Sequence, residues 1–376
     1  AEAIKEYFGI EPGIYSSGRG KKEIKKITVA GIQSIHRKPE LFSDFDIIII
    51  DECHLVPTKG EGMYRSFLTE LDATYVGLTA THFRLGHGYI HQGEGALFTD
   101  IAYDLSEMEK FNRLVDEGYL AKLYSKKPDL VFNTKNIPLK GGDYKEQALS
   151  DAFDRDEITR KAVAEIIHYG KNYKKWLIFT IDIQHAENVN AMLLDAGIKS
   201  VCVHSKMNMN RKTVISDYKN GTYQSIVNVD VLTTGFNVPS VDLIAILRPT
   251  KSPVIHVQTI GRGLRIAEGK DHCLVLDFAG NIAELGPINA VRIKQKQKGE
   301  SGAPIIKECP DCQLMHHPSV KECPCGYEFK FKVGLTSSAH SSEVVLKEPV
   351  KKIRWLEVKD TTFSVYQKAG KPPSLK

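Results

Sequence analysis

The stretch Ile47-Ile48-Ile49-Ile50-Asp51-Glu52-Cys53-His54 decides how this 376-residue chain reads. Four β-branched residues in a row predict a short buried strand, not an alternating half-exposed one. Two adjacent carboxylates follow at once, at the carboxyl end of that strand, where open parallel sheets bind their ligands. An Asp there can hold Mg²⁺ through water, and a Glu can polarise a water for in-line attack on a phosphoryl group. An acidic loop after a strand is common, so the tetrapeptide gains weight only from its neighbours.

Similar β-branched runs recur at 27–30, 75–78, 177–179, 201–203, 226–229, 243–247 and 274–276. They are continuous, as expected of parallel strands covered on both faces. Helical segments lie between several of them. The clearest begins at Asp182, a good N-cap, places Ala186, Val189 and Leu193 on one face, and meets Gly197 where a C-terminal cap belongs. Repeated strand, helix, strand predicts an α/β fold with doubly wound parallel sheets. The repetition breaks between 120 and 144, where Pro128, Pro138, Gly141 and Gly142 fall among many lysines, and again after Gly286.

Composition bounds the rest. Hydrophobic residues are 42% and charged residues 26%, which excludes a mostly disordered chain. No apolar run approaches the roughly 18 residues of a membrane span, and residues 1–6 do not resemble a secretion signal. The net charge is +5, but it is uneven: residues 291–376 carry sixteen Lys or Arg against nine Asp or Glu, a surplus of +7, whereas the first 290 sum to −2. A basic end on a near-neutral body is a nucleic-acid footprint or a solvated Lys-rich surface.

Three further segments follow the DECH tetrapeptide: Gly77-Leu78-Thr79-Ala80-Thr81, Leu232-Thr233-Thr234-Gly235-Phe236-Asn237-Val238-Pro239 and Gln258-Thr259-Ile260-Gly261-Arg262-Gly263-Leu264-Arg265. Strands precede the first two. Arg262 and Arg265, three apart on a helix, would share a face and suit bidentate phosphate binding. In this order the motifs resemble the superfamily 2 DEAD/DEAH-type (DECH-box) helicases, most of all the phage and bacterial DNA helicases of that class. The stretches 27–35, 118–120, 176–180 and 203–206 agree, and the likeness covers roughly residues 1–290.

The resemblance implies two RecA-like lobes that couple Mg-ATP hydrolysis to movement on nucleic acid. It implies that Asp51 coordinates Mg²⁺, Glu52 is the general base, and Arg262 is the finger on the γ-phosphate with Arg265 beside it. His54, Thr79, Thr81 and Gln258 would transmit the nucleotide state between lobes. Gly235 and Asn237 would sit beside the nucleotide. Gln33, Ser34, Thr180, Thr233 and Thr234 would touch the nucleic-acid backbone. The expected partner is DNA, single-stranded or forked, with RNA not excluded and no membrane, in the cytoplasm of a bacterial or phage-infected cell. Three departures stand out. Asn237 replaces a common Asp, His82 replaces a common Pro, and no G-x-x-x-x-G-K-[ST] loop precedes the DECH box. The chain therefore reads as a fragment cut inside the first lobe and is not expected to bind ATP normally by itself. A natural loss of the loop, giving an ATPase-deficient nucleic-acid-binding protein, is the runner-up. The motor subunit of a restriction system is a third reading.

Cys309-Pro310-Asp311-Cys312 and Cys323-Pro324-Cys325-Gly326 predict a zinc-ribbon-like structural Zn²⁺ site of four thiolates. The second half is one residue short, so His316 or His317 could substitute for a ligand. About 30 residues hold too little core to fold without such a staple. Beyond it, 353–358 and 362–366 alternate like strands of a small β module. The expected organisation is a partial first lobe (1–120), an inter-lobe connection (121–155), a second lobe (156–290), a basic linker (291–303), the zinc module (304–333), and a flexible segment with a partial β module (334–376).

Overall fold

A computed structural model describes residues 1–57, 62–84, 88–92, 96–229, 236–291, 307–316 and 320–329, with two short strands at 365–366 and 374–375. The first part holds β1 (Gly13–Ser16), β2 (Lys21–Lys22), β3 (Thr28–Ala30), β4 (Ile47–Asp51), β5 (Thr74–Leu78) and a hairpin of β6 (Phe83–Arg84) and β7 (Gly88–Tyr89). The second holds β8 (Lys122–Lys126), a hairpin of β9 (Leu139–Lys140) and β10 (Asp143–Tyr144), then β11 (Trp176–Phe179), β12 (Ser200–Val203), β13 (Ser225–Asn228), β14 (Leu243–Ile246) and β15 (His272–Asp277). The cysteine segment adds β16 (Lys307–Glu308) and β17 (Met315–His316), and the tail pairs β18 (Val365–Tyr366) with β19 (Ser374–Leu375).

One six-stranded sheet of order β12-β13-β11-β14-β15-β8 organises the second part, and every pairing in it is parallel. All four residues of β11, β13 and β14 are buried. Both faces are covered, which explains why these strands read as unbroken apolar runs. One face packs Leu177, Ile226, Ile244 and Val275; the other packs Trp176, Ile178, Leu243 and Leu276. The helix Ile183–Asp195 starts where expected. Asp182 Oδ1 accepts the His185 N–H at 2.8 Å, and Ala186, Val189 and Leu193 are fully buried. Gly197 ends the segment at φ +81°, a left-handed position that favours glycine.

Two expectations change. The 121–155 stretch does more than connect: it supplies β8, the edge strand of the six-stranded sheet, paired to β15 from His272↔Lys122 to Leu276↔Lys126. Its Lys122-Leu123-Tyr124-Ser125-Lys126 disguised it, because an edge strand need bury only every second residue, and one of the two buried here is Ser125. In the first part, the DECH strand is not covered on both faces. β4 and β5 form a two-stranded parallel pair in which Ile47 and Ile49 are 60% and 64% exposed, and Val76 and Leu78 are open on β5. Only the opposite face is buried, by Ile50, Cys53, Phe67 and Leu68. Among the described residues no helix is long and apolar enough to cross a membrane.

Candidate active site and metal centre

β4 delivers Asp51 to its carboxyl end, exposed, and the chain turns sharply at Glu52. Glu52 adopts φ 50°, ψ 46°, a left-handed conformation costing about 1–3 kcal/mol for a residue with a Cβ. Such strain marks a position that the surrounding structure dictates. Asp51 Oδ1 accepts the Glu52 N–H at 2.9 Å, which helps hold the turn.

His54 is buried in the short 3₁₀ turn that follows. Its Nδ1 lies 2.9 Å from Thr79 Oγ1 and 3.2 Å from Glu52 Oε2. The Thr79 hydroxyl donates to Thr81 O at 2.9 Å and accepts the Thr81 N–H at 3.0 Å. Its single proton is thus committed, so the proton between His54 and Thr79 belongs to Nδ1. That N–H points to Thr79 and ties the end of β5 to the DECH turn, with the ring set beside the Glu52 carboxylate. Gly77 sits under this link because a Cβ there would come within 2.7 Å of Cys53 Sγ and of Phe98.

The second sheet approaches from the other side. The helix Pro253–Gly261 begins at Ser252, whose Oγ accepts the Ile255 N–H, and ends by tightening into a 3₁₀ turn at Arg262–Leu264. Arg262 and Arg265 are therefore not on one regular helix, as their spacing suggested; Arg265 is already extended. They converge all the same, because both donate through Nη1 to Phe236 O, Arg262 at 3.0 Å. Arg265 Nη1 also donates to Asn237 Oδ1 at 3.1 Å. Lys270 locks the turn by donating to the carbonyls of Pro239, Gly263 and Arg265 at 3.1, 2.8 and 2.7 Å. Replacing Lys270 with Met is expected to cost about 1.5–3 kcal/mol by stranding those carbonyls, measured as a lower urea midpoint. Nothing in the sequence singled out Lys270, since a Lys in an Ala-Glu-Gly-Lys-Asp loop looks like solvated surface.

Across the cleft, Glu52 meets Gln258 and Arg262. Burial raises the Glu52 pKa, and the Asp51 charge raises it further; the Arg262 charge and a hydrogen bond from Gln258 oppose them. Burial lowers the Arg262 pKa to about 10, with Arg265 repulsion adding and Glu52 opposing. The cleft has a volume of about 1380 Å³ and is lined by Glu52, Thr79, Gln258, Arg262 and Arg265 among others. The Glu52 carboxylate and a buried Arg262 guanidinium that stays charged thus line one cleft.

The chain of motifs also occurs in known proteins. Residues 2–84 match the family described as type III restriction enzyme, res subunit, and residues 159–267 match the helicase conserved C-terminal domain. The chain belongs to the superfamily 2 helicases. Its relatives in this superfamily include the Saccharomyces cerevisiae protein provisionally named ATP-dependent helicase IRC3, 26% identical over 280 residues, 71% of this chain and 39% of that protein. The 51.5 kDa protein of a Lactococcus phage is 28% identical over 309 residues, 80% of this chain and 64% of its own length. The chain thus spans less than two thirds of either relative. A fragment assigned to an HsdR subunit of a type I restriction enzyme from Vibrio vulnificus superposes with a TM-score of 0.50 over 73% of this chain and 54% of that one; at 17% identity this likeness concerns the fold alone.

Other predicted residues are placed variously. Gln33 is exposed, while Ser34 Oγ accepts the Ser17 N–H at 2.9 Å. Thr180 is 1% exposed and its hydroxyl donates to Asn228 O at 3.1 Å, inside the sheet. Thr233, Thr234 and Gly235 lie outside the described residues, as do His317 and nearly all of the basic linker.

The four cysteines of the C-terminal cluster do converge. The sulfurs of Cys309, Cys312, Cys323 and Cys325 all lie within 4.8 Å of one another. The Cys309–Cys325 and Cys312–Cys323 separations are 3.6 and 3.4 Å. A tetrahedral Zn²⁺ with bonds near 2.3 Å sets sulfurs about 3.8 Å apart, so the donor set fits. Each half turns tightly: Cys309 N–H donates to Leu314 O and Cys323 N–H to Tyr327 O, both at 2.8 Å. The shorter second half still closes, because Gly326 takes φ +90° straight after Cys325. His316 does not displace a cysteine; its Nε2 lies 3.1 Å from Cys323 Sγ, as a partner that would orient and neutralise a ligating sulfur.

Proposed function

We propose that the chain is the motor part of a nucleic-acid-dependent ATPase that translocates on or unwinds DNA during replication, recombination or repair. The convergence of Glu52 from one lobe with Gln258 and Arg262 from the other carries this reading. Mg²⁺ held through Asp51 would neutralise charge on the β- and γ-phosphates. Glu52 would take the proton of the attacking water, and its raised pKa suits a general base. Arg262 would stabilise charge on the transferring group. The link from Glu52 through His54 to Thr79 and Thr81 would report the nucleotide state to the first lobe's surface, where Gln33 and Ser34 would meet the nucleic-acid backbone. Gly235 and Asn237 would flank the nucleotide, and Thr233 and Thr234 the nucleic acid. The domain limits given above follow from this reading, with β8 reassigned to the second sheet. The phage relative supports work in a bacterial or phage-infected cell.

The test is phosphate release by the product of the complete reading frame, with single-stranded DNA, forked DNA and RNA as activators. Stimulation by DNA supports the proposal. A protein that binds DNA without turnover would instead be an ATPase-deficient binder. The match of 2–84 to a restriction subunit favours a second reading, the motor of a restriction system; site-dependent DNA cleavage with a partner subunit would establish it. The basic end makes a separate prediction. Deleting 291–376 is expected to weaken nonspecific DNA binding and flatten its dependence on salt, by about 0.9 in log–log slope for each phosphate left without its cation. An unchanged slope would deny the charge split any functional meaning.

A further inference from the structure

The cysteine segment is not a free appendage. Leu314, just beyond the first cysteine pair, bridges Lys126 in antiparallel fashion at the outer edge of β8. Beside that bridge, the Tyr169 hydroxyl donates to Gln313 Oε1 at 2.8 Å, and Lys126 Nζ lies 4.7 Å from the centre of the Tyr169 ring. An edge strand presents unpaired backbone groups, and here the knuckle pairs with the strand's last residue, Lys126. Gln313 itself stands at φ +60°, the position that Gly326 fills in the second half of the cluster. A glycine would adopt that conformation at no steric cost. A strained side chain there points to a role for what it touches, and it touches the second lobe.

The other end of β8 is held by the arginine turn. Ala121 N–H donates to Leu264 O at 2.7 Å. Gly263 lies flat on the sheet, where a Cβ would come within 3.1 Å of Leu123 Cδ2 and 2.8 Å of Cys273 Sγ. One five-residue strand thus runs from the arginine turn to the knuckle.

We propose that the metal-bound cysteine module is a clamp on the open edge of the second sheet, fixing β8 and, through β8, the turn that carries Arg262 and Arg265. The clamp rests on the metal reading of the four cysteines. Metal release would loosen the knuckle, free Leu314 and Gln313 from Lys126 and Tyr169, and leave the arginine turn on an unsupported strand.

The experiment is hydrogen exchange on the intact protein with metal content measured alongside, before and after stripping by a chelator and after adding back Zn²⁺ alone. The expected result is exchange about tenfold faster in the segment 121–126 on stripping, the scale of removing one hydrogen bond. Added Zn²⁺ should restore it, and β11 at the sheet centre should not change. Gln313→Gly, which relieves the backbone and removes the hydrogen bond to Tyr169, is expected to keep its metal and still exchange faster in 121–126. Stripped protein with unchanged exchange in 121–126 would overturn the clamp and leave the metal site standing. Opening of β11 together with β8 would also overturn it, as general unfolding. Protein that never takes up Zn²⁺ would remove the metal reading and the clamp with it.

Discussion

Replacing Arg262 with Ala is expected to lower DNA-stimulated ATP turnover by about 10³–10⁵-fold, the worth of an arginine that reaches a transferring phosphoryl group. The structure supplies the reasons to expect the upper part of that range. Arg262 is 7% exposed, is fixed by the Phe236 carbonyl, and faces Glu52. Its pKa is lowered to about 10 yet stays well above neutrality, so the charge is present where little water screens it. Lys in its place is expected to recover little, because an ammonium cannot reproduce the planar fork that holds Phe236 O and would hold a phosphate at the same time. Phosphate release measures the loss, and nucleotide affinity separates it from failed binding. Turnover within a few-fold of the parent would remove Arg262 from the reaction.

Glu52→Gln is expected to reduce turnover by about 10²–10⁴-fold, the usual contribution of a positioned general base. The same change should stabilise the fold. Burial and Asp51 raise the Glu52 pKa in the folded chain, so the ionised form is disfavoured there relative to the unfolded chain. The sign follows directly: the folded state binds the proton more tightly, and stability lost at neutral pH is regained as pH falls through the raised value. Gln carries no charge and escapes the penalty. A higher urea midpoint with turnover nearly abolished is the paired result to look for. In the parent protein, turnover should decline as pH falls through the raised Glu52 value, while the midpoint shows an opposing contribution. Full turnover in the Gln variant would exclude Glu52 as the base.

Much of the architecture was legible in residue order. The apolar runs of β11, β13 and β14 could only be strands buried on both faces, and Asp182 and Gly197 bracketed their helix by capping chemistry alone. The pairing of a DECH strand with a later arginine segment could be read because each motif is local, and a handful of residues at fixed spacing carries it. The cysteine spacing likewise announced a tetrathiolate cluster, since thiol ligands must come in close pairs to meet one ion.

What the sequence could not decide was how distant segments meet. β8 has a Lys at each end and buries a Ser, so its place at a sheet edge depends on pairing with a strand about 150 residues away. Lys270 looked like surface until three carbonyls met around it. Arg262 and Arg265 owed their common target to the Phe236 carbonyl, not to helical spacing. Gln313 carried no signal at all before the knuckle was seen against Tyr169. By itself the sequence determined the strands, the caps and the kinds of chemistry each motif could bring. Only the tertiary structure decided which of those groups face one another, because facing is set by sheet order and packing, and neither is written in spacing along the chain.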